Sequence, residues 1–256
     1  MRDGEVAIIP IADVPMIGSG DDLASVALDA LARMAITLER GDILVFAQKI
    51  VSKSEGRAVR LKTVTPSAEA IALAGTVHKD PRVVQLVLQE SSKVVRAVPD
   101  ILIVRHRLGF VLANAGIDGS NVEWPDNDES VLLLPLDPDA SARNLSWRLQ
   151  QKASIPVGVI VNDSIGRAWR RGTVGTAIGV ANMPSLRDMR GWPDLQGRPL
   201  QATEVGFADE VAAAASMVQG QSSERRPIVL VRGMKVEPVG ASAADLVRPV
   251  AMDLFP

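Results

Sequence analysis

Two aspartates set just past apolar runs are the residues of this chain best suited to chemistry. Asp118 lies in Asn114-Ala115-Gly116-Ile117-Asp118-Gly119-Ser120-Asn121, after the apolar run Phe110-Val111-Leu112-Ala113. Asp163 lies in Asn162-Asp163-Ser164-Ile165-Gly166-Arg167, after Val157-Gly158-Val159-Ile160-Val161, and Arg170-Arg171-Gly172 follows closely. A carboxylate at a strand end can hold a hard cation, and flanking glycines let the backbone come close to a ligand. The planar fork of arginine donates two hydrogen bonds at once to a phosphate or carboxylate. A third polar group, Lys49, Lys53 and Arg57, follows the apolar run Ile43-Leu44-Val45-Phe46-Ala47. Each cluster also has a plainer reading: Gly, Asn, Asp and Ser favour turns, and basic residues populate solvated connectors. At the level of single clusters both readings stay open.

The elements that must position these residues alternate irregularly between strand and helix. Val6 to Pro10 reads as a strand, and a helix is expected from Asp21 or Asp22, with Leu23, Val26, Ala27, Ala30, Leu31 and Met34 on one face. Ile43 to Ala47 has the unbroken apolar character of a strand covered on both sides, and open sheets often keep ligands beyond such strand ends. Further helices are expected from Pro66-Ser67 to Gly75, from Asp80-Pro81, and from Asp137-Pro138 to about Gln150; Asp as N-cap and Pro at the first helical position mark the last two. Ile101 to Val104 and Phe110 to Ala113 make a hairpin whose basic turn leaves His106 solvated. Val131 to Pro135, Val157 to Val161, Ala202 to Phe207 and Ile228 to Val231 read as strands, and Asp209 opens a helix through Val218. Pro125 to Ser130 reads as a solvated acidic loop, Gly172 to Met183 as a Gly- and Thr-rich stretch with a short apolar centre, and Asp188 to Leu200 as a loop held by Trp192. Gln219 to Arg226 reads as a polar loop. The expected class is mixed α/β, in one unit spanning residues 1–256, with no repeat and no linker.

Composition narrows the function. The chain has 256 residues, 47% of them hydrophobic, but only 3% aromatic and no Tyr, so its core is aliphatic and stacking platforms for bases are not expected. A net charge of -2, with basic residues spread along the chain, argues against a nucleic-acid surface. With no Cys and only two His, any metal should be a hard cation held by oxygen. The phosphate-binding Gly-rich motifs that end in Gly-Lys-Ser/Thr, or read GxGxxG, are missing. The opening segment lacks a signal-peptide core, and no apolar run approaches the roughly 20 residues of a membrane span. A soluble cytoplasmic protein without a membrane partner is the expectation.

Taken together and in order, several short motifs resemble the coenzyme F420-0:L-glutamate ligase (gamma-glutamyl ligase) family. They are Gly41-Asp42-Ile43-Leu44-Val45 leading to Lys53-Ser54-Glu55-Gly56-Arg57, the Asn114 to Asn121 segment, and Leu134-Pro135-Leu136-Asp137-Pro138-Asp139. Asp163-Ser164 with Gly166-Arg167, Arg170-Arg171-Gly172 and Val231-Arg232-Gly233 complete the set, which covers essentially the whole chain. The resemblance implies a mixed α/β fold of two interlocked lobes forming a homodimer. It implies a GTP-dependent ligase that joins L-glutamate to the terminal carboxylate of a deazaflavin coenzyme precursor through an acyl phosphate. Divalent Mg or Mn and a potassium ion would assist.

Carried over by motif, Asp118 and Asp163 would hold the divalent metal, with Ser164 at a neighbouring metal position. Gln48, Lys49, Lys53 and Asn121 would line the GTP site. The loop Val14-Pro15-Met16-Ile17 and the loop Gln219-Gly220-Gln221-Ser222-Ser223-Glu224-Arg225-Arg226 would complete it, with Gln221 a further metal or nucleotide contact. Arg170 or Arg171 would contact an anion on the reaction path or the acceptor's acidic tail. Phosphoryl transfer needs cations around the transferred group more than a protein nucleophile, which suits a chain with two histidines in unpromising places. A ligase with another acceptor and a non-catalytic nucleotide-binding protein are the competing readings.

Overall fold

The computed structural model describes residues 4–122, 128–234, 236 and 238–253. Residues 1–3 and residues 125–127 of the expected acidic loop lie outside them. In chain order the elements begin with β1 (Ala7–Pro10), α1 (Leu23–Arg33), β2 (Ile43–Ala47), α2 (Gln48–Ser54) and β3 (Ala58–Arg60). Next come α3 (Ala68–Val77), α4 (Pro81–Gln89), β4 (Ser91–Val98), β5 (Ile101–His106), β6 (Val111–Ala113) and β7 (Ser130–Leu132). The remainder is α5 (Pro138–Ala153), β8 (Gly158–Gly166), β9 (Thr173–Ala181), β10 (Arg187–Asp188), β11 (Glu204–Val205), α6 (Phe207–Gln219) and β12 (Ile228–Arg232). The fold is mixed α/β, as expected.

A five-stranded sheet of order β1-β12-β2-β8-β9 organises the molecule, with β2 and β8 parallel and the other pairs antiparallel. Side chains alternate across a strand, so β2 feeds two cores at once: Leu44 and Phe46 join one with α1 and α5, while Ile43 and Val45 join another with α6. The unbroken apolar run of β2 thus has its cause in a sheet covered on both faces. A third core, on α3, α4 and one face of the β4-β5-β6 sheet, contains Val84, Leu102, Val104 and Ala115.

The caps expected at Asp80 and Asp137 form, and the residues at the expected starts of α1 and α3 act in the same way. Asp22, Ser67, Asp80 and Asp137 each accept backbone N–H bonds at the start of α1, α3, α4 and α5. Other expectations change. Gln48 to Ser54, left open between a ligand site and a connector, is helical; residues 173–181, whose glycines hid a strand, form β9; and α6 starts at Phe207, two residues before Asp209. Asp209 instead caps the open edge of the sheet. Its Oδ1 accepts from Ala177 N at 2.9 Å, and Asp139 Oδ1 accepts from Val180 N at 2.8 Å, so two outward N–H groups of edge strand β9 are satisfied by helix carboxylates. Gly179 allows this approach, because a Cβ there would lie 2.2 Å from the Pro138 carbonyl oxygen.

His106 is wholly buried rather than solvated. Its Nδ1 accepts from Leu108 N at 3.1 Å, and Nε2 lies 3.5 Å from Glu90 Oε2. Glu90 also meets Arg57 and Arg107, each at 3.1 Å. His106 first, and then the two arginines acting against burial, hold the Glu90 carboxyl at about 2. Arg57 further donates to Leu134 O at 2.9 Å, so this cluster ties the end of α2 to α4 and to the β5–β6 turn. Asp128 and Glu129 are not free either: they pair with Lys62 at 2.8 Å and Arg82 at 3.2 Å.

Candidate active site

Sheet topology brings four of the sequence clusters to one end of the sheet. β1 and β2 finish there, β12 begins there, and β8 passes through it before running on to Gly166, as the pairings Pro10 with Val229, Phe46 with Ile228 and Ala47 with Asn162 require. Ile11 N donates to Ile228 O at 2.9 Å and Ala47 N to Pro227 O at 2.8 Å, which extends the ladder into the loops. This end therefore gathers the loop after β1, helix α2, the Asn162-Asp163-Ser164 stretch of β8 and the loop before β12. Gly20 N donates to Ser54 O at 2.8 Å, which anchors the first loop on α2. In that loop Ile17 is buried in the core, Val14 is partly buried, and Pro15 and Met16 are exposed.

Asp118 arrives from the β4-β5-β6 side. After β6 the chain takes positive φ at three successive residues, Asn114 (50°), Ala115 (53°) and Gly116 (71°). Two non-glycine residues in the left-handed region cost of order 1–3 kcal/mol each, and such strain concentrates at functional sites. The segment is held because Ala115 is fully buried in the third core and Gly116 packs under Leu134, where a Cβ would lie 2.8 Å from Cγ and Cδ2. Two backbone bonds between Asp118 and Leu132, at 2.9 and 3.2 Å, then fix the aspartate beside β7.

Helix α2 grips this segment with two lysines one turn apart, an i, i+4 pair on one face. Lys49 Nζ lies 2.7 Å from Asp118 Oδ2 and also donates to Ser120 O at 3.3 Å and to Ser120 Oγ. Lys53 Nζ donates to Asn121 O at 2.8 Å, and Asn121 Nδ2 donates to Ser222 O at 3.4 Å. Helix, strained segment and the loop before β12 thus form one hydrogen-bonded chain. Partial burial opposes the charge on Asp118, but the Lys49 ammonium and the Ser120 N–H and hydroxyl, at 2.7 and 2.8 Å, hold its carboxyl below the ordinary value.

Asp163 behaves oppositely. Burial pushes its carboxyl up to about 6, despite a 2.8 Å bond from Ser164 N and the charge of Lys49, while the nearby Asp118 carboxylate raises it further. The two acids and Lys49 therefore share one electrostatic neighbourhood. Asp163 and Ser164 lie inside β8, paired with Thr176 and Gly175, rather than beyond its end.

The other candidates divide. Gln48 is buried, with its Oε1 accepting from Ser52 Oγ at 3.0 Å. Gln219 is the buried last residue of α6, not a loop residue; its amide donates to Val45 O and Pro227 O, and its Oε1 accepts from Asn162 Nδ2 at 2.6 Å. Gly220 to Arg226 are exposed or nearly so, with Gln221 Nε2 on Ser216 Oγ and Glu224 Oε2 accepting from Ser222 N at 2.8 Å. Arg170 and Arg171 are exposed at the tip of the β8–β9 hairpin, past Gly166, about 10 Å along the strand from Asp163. Among the described residues their guanidinium groups make no hydrogen bond or ion pair.

Sequence reasoning noted Ser120 only as a further side-chain oxygen of its motif, whereas it joins Lys49 to Asp118, and gave no role to Asn162, a buried amide that locks α6 to β8 beside Asp163. The signal for Asn162 was a polar residue continuing an apolar strand run. Among the described residues no three acidic or histidine side chains cluster into a ready-made metal site. The Asp118–Asp163 pair nevertheless suits a hard cation completed by substrate oxygens, because Mg2+ is commonly held by one or two carboxylates plus phosphates.

A family model described as F420-0:Gamma-glutamyl ligase matches residues 12–233. The chain is 42% identical over 255 residues to the coenzyme F420:L-glutamate ligase of Methanothermobacter thermautotrophicus, covering 98% of each chain. It is 43% identical over 237 residues to the enzyme of that name from Methanopyrus kandleri, covering 91% of this chain and 90% of that one. With the enzyme of that name from Archaeoglobus fulgidus the figures are 41% over 236 residues, 92% and 91%.

Proposed function

The chain belongs to the F420-0:gamma-glutamyl ligase family, and from that premise we propose that it joins L-glutamate to the terminal carboxylate of the coenzyme F420 precursor at the expense of GTP. The observation that carries this reading is the meeting of Asp118, Asp163, Lys49 and Lys53 at one end of the sheet. A carboxylate does not react with an amine until one of its oxygens is made a leaving group. Attack of a carboxylate oxygen on the γ-phosphorus of GTP expels GDP and gives an acyl phosphate. The deprotonated glutamate amine then attacks the acyl carbon and expels phosphate.

Neither step requires a protein nucleophile, and both concentrate negative charge that the protein must balance. In this reading Asp118 and Asp163 would hold a divalent Mg or Mn ion, with Ser164 and Gln221 as further candidate contacts. Bound there, the ion would supply positive charge to phosphate oxygens. Lys49 and Lys53 serve the phosphates, together with exposed residues of the loop 220–226 and of Val14 to Met16. Asn121 and Gln219 keep these loops in register, and the buried Gln48 supports α2 from inside. Arg170 or Arg171 closes on the acidic end of the acceptor or on charge that develops in transfer. The potassium ion implied by the resemblance is assigned to no particular residue.

The test is mass spectrometry of the protein incubated with GTP, glutamate and the deazaflavin precursor. A gain of one glutamyl unit with release of GDP is expected. Nucleotide binding without product would return the chain to a binding protein, and product formed only on another carboxylate would replace the acceptor. In the same assay Lys53→Ala should raise the apparent KM for GTP far more than that for glutamate. Equal values for parent and variant would remove Lys53 from the nucleotide site.

A further inference from the structure

Among the described residues the Lys49 ammonium meets a single partner segment. It carries three donor hydrogens, and three acceptors of one short turn surround it: Asp118 Oδ2 at 2.7 Å, Ser120 O at 3.3 Å, and Ser120 Oγ. Asp118 is as fully engaged, since Oδ1 accepts from Ser120 N at 2.7 Å and Oδ2 accepts from both Lys49 and Ser120 Oγ. The pair is only partly open to solvent, with 28% of the lysine and 42% of the aspartate side chain exposed. A divalent ion taking Asp118 Oδ2 would stand within a few Å of that ammonium. Two cations cannot share the oxygen without strong repulsion, so one of them must leave.

We propose that Lys49 holds the cation's place in the free protein and makes metal binding depend on the nucleotide. The inference rests on Asp118 being a metal ligand. Entry of the ion expels the lysine from Asp118 and Ser120. The expelled ammonium loses the Asp118 carboxylate, and Asp163, whose charge it also senses, is engaged by the same ion, so a nucleotide phosphate supplies the anion it needs. Metal alone must therefore displace Lys49 at a loss, whereas metal with nucleotide displaces it toward a new partner. By thermodynamic linkage each ligand tightens the other. The site would be kept closed by protein charge until both are present. Lys53 and Asn121 would hold the segment in place during the exchange, because their bond at 2.8 Å is independent of Asp118.

The experiment titrates Mn2+ into the parent protein, with free Mn2+ followed by its electron paramagnetic resonance signal, in the absence and presence of GDP. Without nucleotide, Lys49→Gln and Lys49→Met should each bind Mn2+ about tenfold or more tightly than the parent, the order expected when a unit positive charge a few Å from a divalent ion is removed at high dielectric. Lys49→Arg, which keeps the charge, should bind as the parent does. Tightening of Mn2+ by GDP should be larger in the parent than in the two neutral variants. Binding that requires Asp118 but is no tighter in either neutral variant overturns the proposal and leaves the metal reading standing. Absence of Mn2+ binding in every form, with GDP included, overturns the metal reading itself.

Discussion

Asp163→Asn is expected to lower turnover by about 10²–10³-fold while leaving the folded protein at least as stable as the parent at neutral pH. The two halves of this expectation come from different features of one side chain. Asp163 stands in β8 with its carboxyl pushed up to about 6, chiefly by burial and further by Asp118. An anion held at a place that disfavours it is poised for a positive ligand. Asparagine has nearly the same shape, and its Oδ1 can keep the 2.8 Å bond from Ser164 N, so packing survives. What disappears is a charged oxygen. Asp118→Asn should be comparably inactive. Its loss frees Lys49, but both groups are partly solvated, so the stability cost stays below about 1 kcal/mol. Steady-state kinetics beside thermal unfolding separates the effects, and parent-like turnover in either variant would remove these aspartates from the chemistry.

The largest effect on stability is expected far from that site. Arg232→Met should destabilise the fold by about 3–5 kcal/mol, because it strands the Asp42 carboxylate in the interior. Asp42 is 1% exposed and accepts from Arg232 Nε at 2.8 Å, from Nη2 at 2.6 Å and from Glu39 N at 2.8 Å. The same guanidinium reaches Thr37 O at 2.6 Å and Glu39 Oε1 at 2.7 Å, so it ties the entry to β2 to the end of β12. A double variant, Asp42→Asn with Arg232→Met, should recover a good part of the loss, since the buried charge goes with its partner. Urea unfolding decides the matter. A single variant within about 1 kcal/mol of the parent would mean that water reaches Asp42 after all.

This ion pair also explains what the motifs were worth. Gly41-Asp42 and Val231-Arg232-Gly233 are distant in sequence and meet in the structure, yet their chemistry is architectural. Arg57, grouped by sequence with Lys49 and Lys53, turns to Glu90 and Leu134 O instead. Asp139, in the Leu134 to Asp139 motif, caps the sheet edge. Short polar motifs at strand ends therefore flagged the right places without separating residues that hold the fold from residues free to meet a ligand. The separation depends on partners supplied by remote segments, which spacing does not record. The strands of the central sheet were legible where side chains were apolar, as in β2 and β12. Strand β9 was not, because Gly175 and Gly179, required by close helices, erased the usual signal. His106 was misread for a similar reason, since a basic turn gave no hint of the Glu90 cluster that buries it.

In the proposed reaction the acceptor's carboxylate is activated by phosphoryl transfer before glutamate attacks. This activation is tested most directly by carrying out the reaction with both oxygens of that carboxylate labelled with oxygen-18. Each turnover should place one labelled oxygen in inorganic phosphate, retain the other in the new amide, and leave GDP unlabelled. Amide formed while phosphate stays unlabelled, or label recovered in a nucleotide monophosphate, would contradict it.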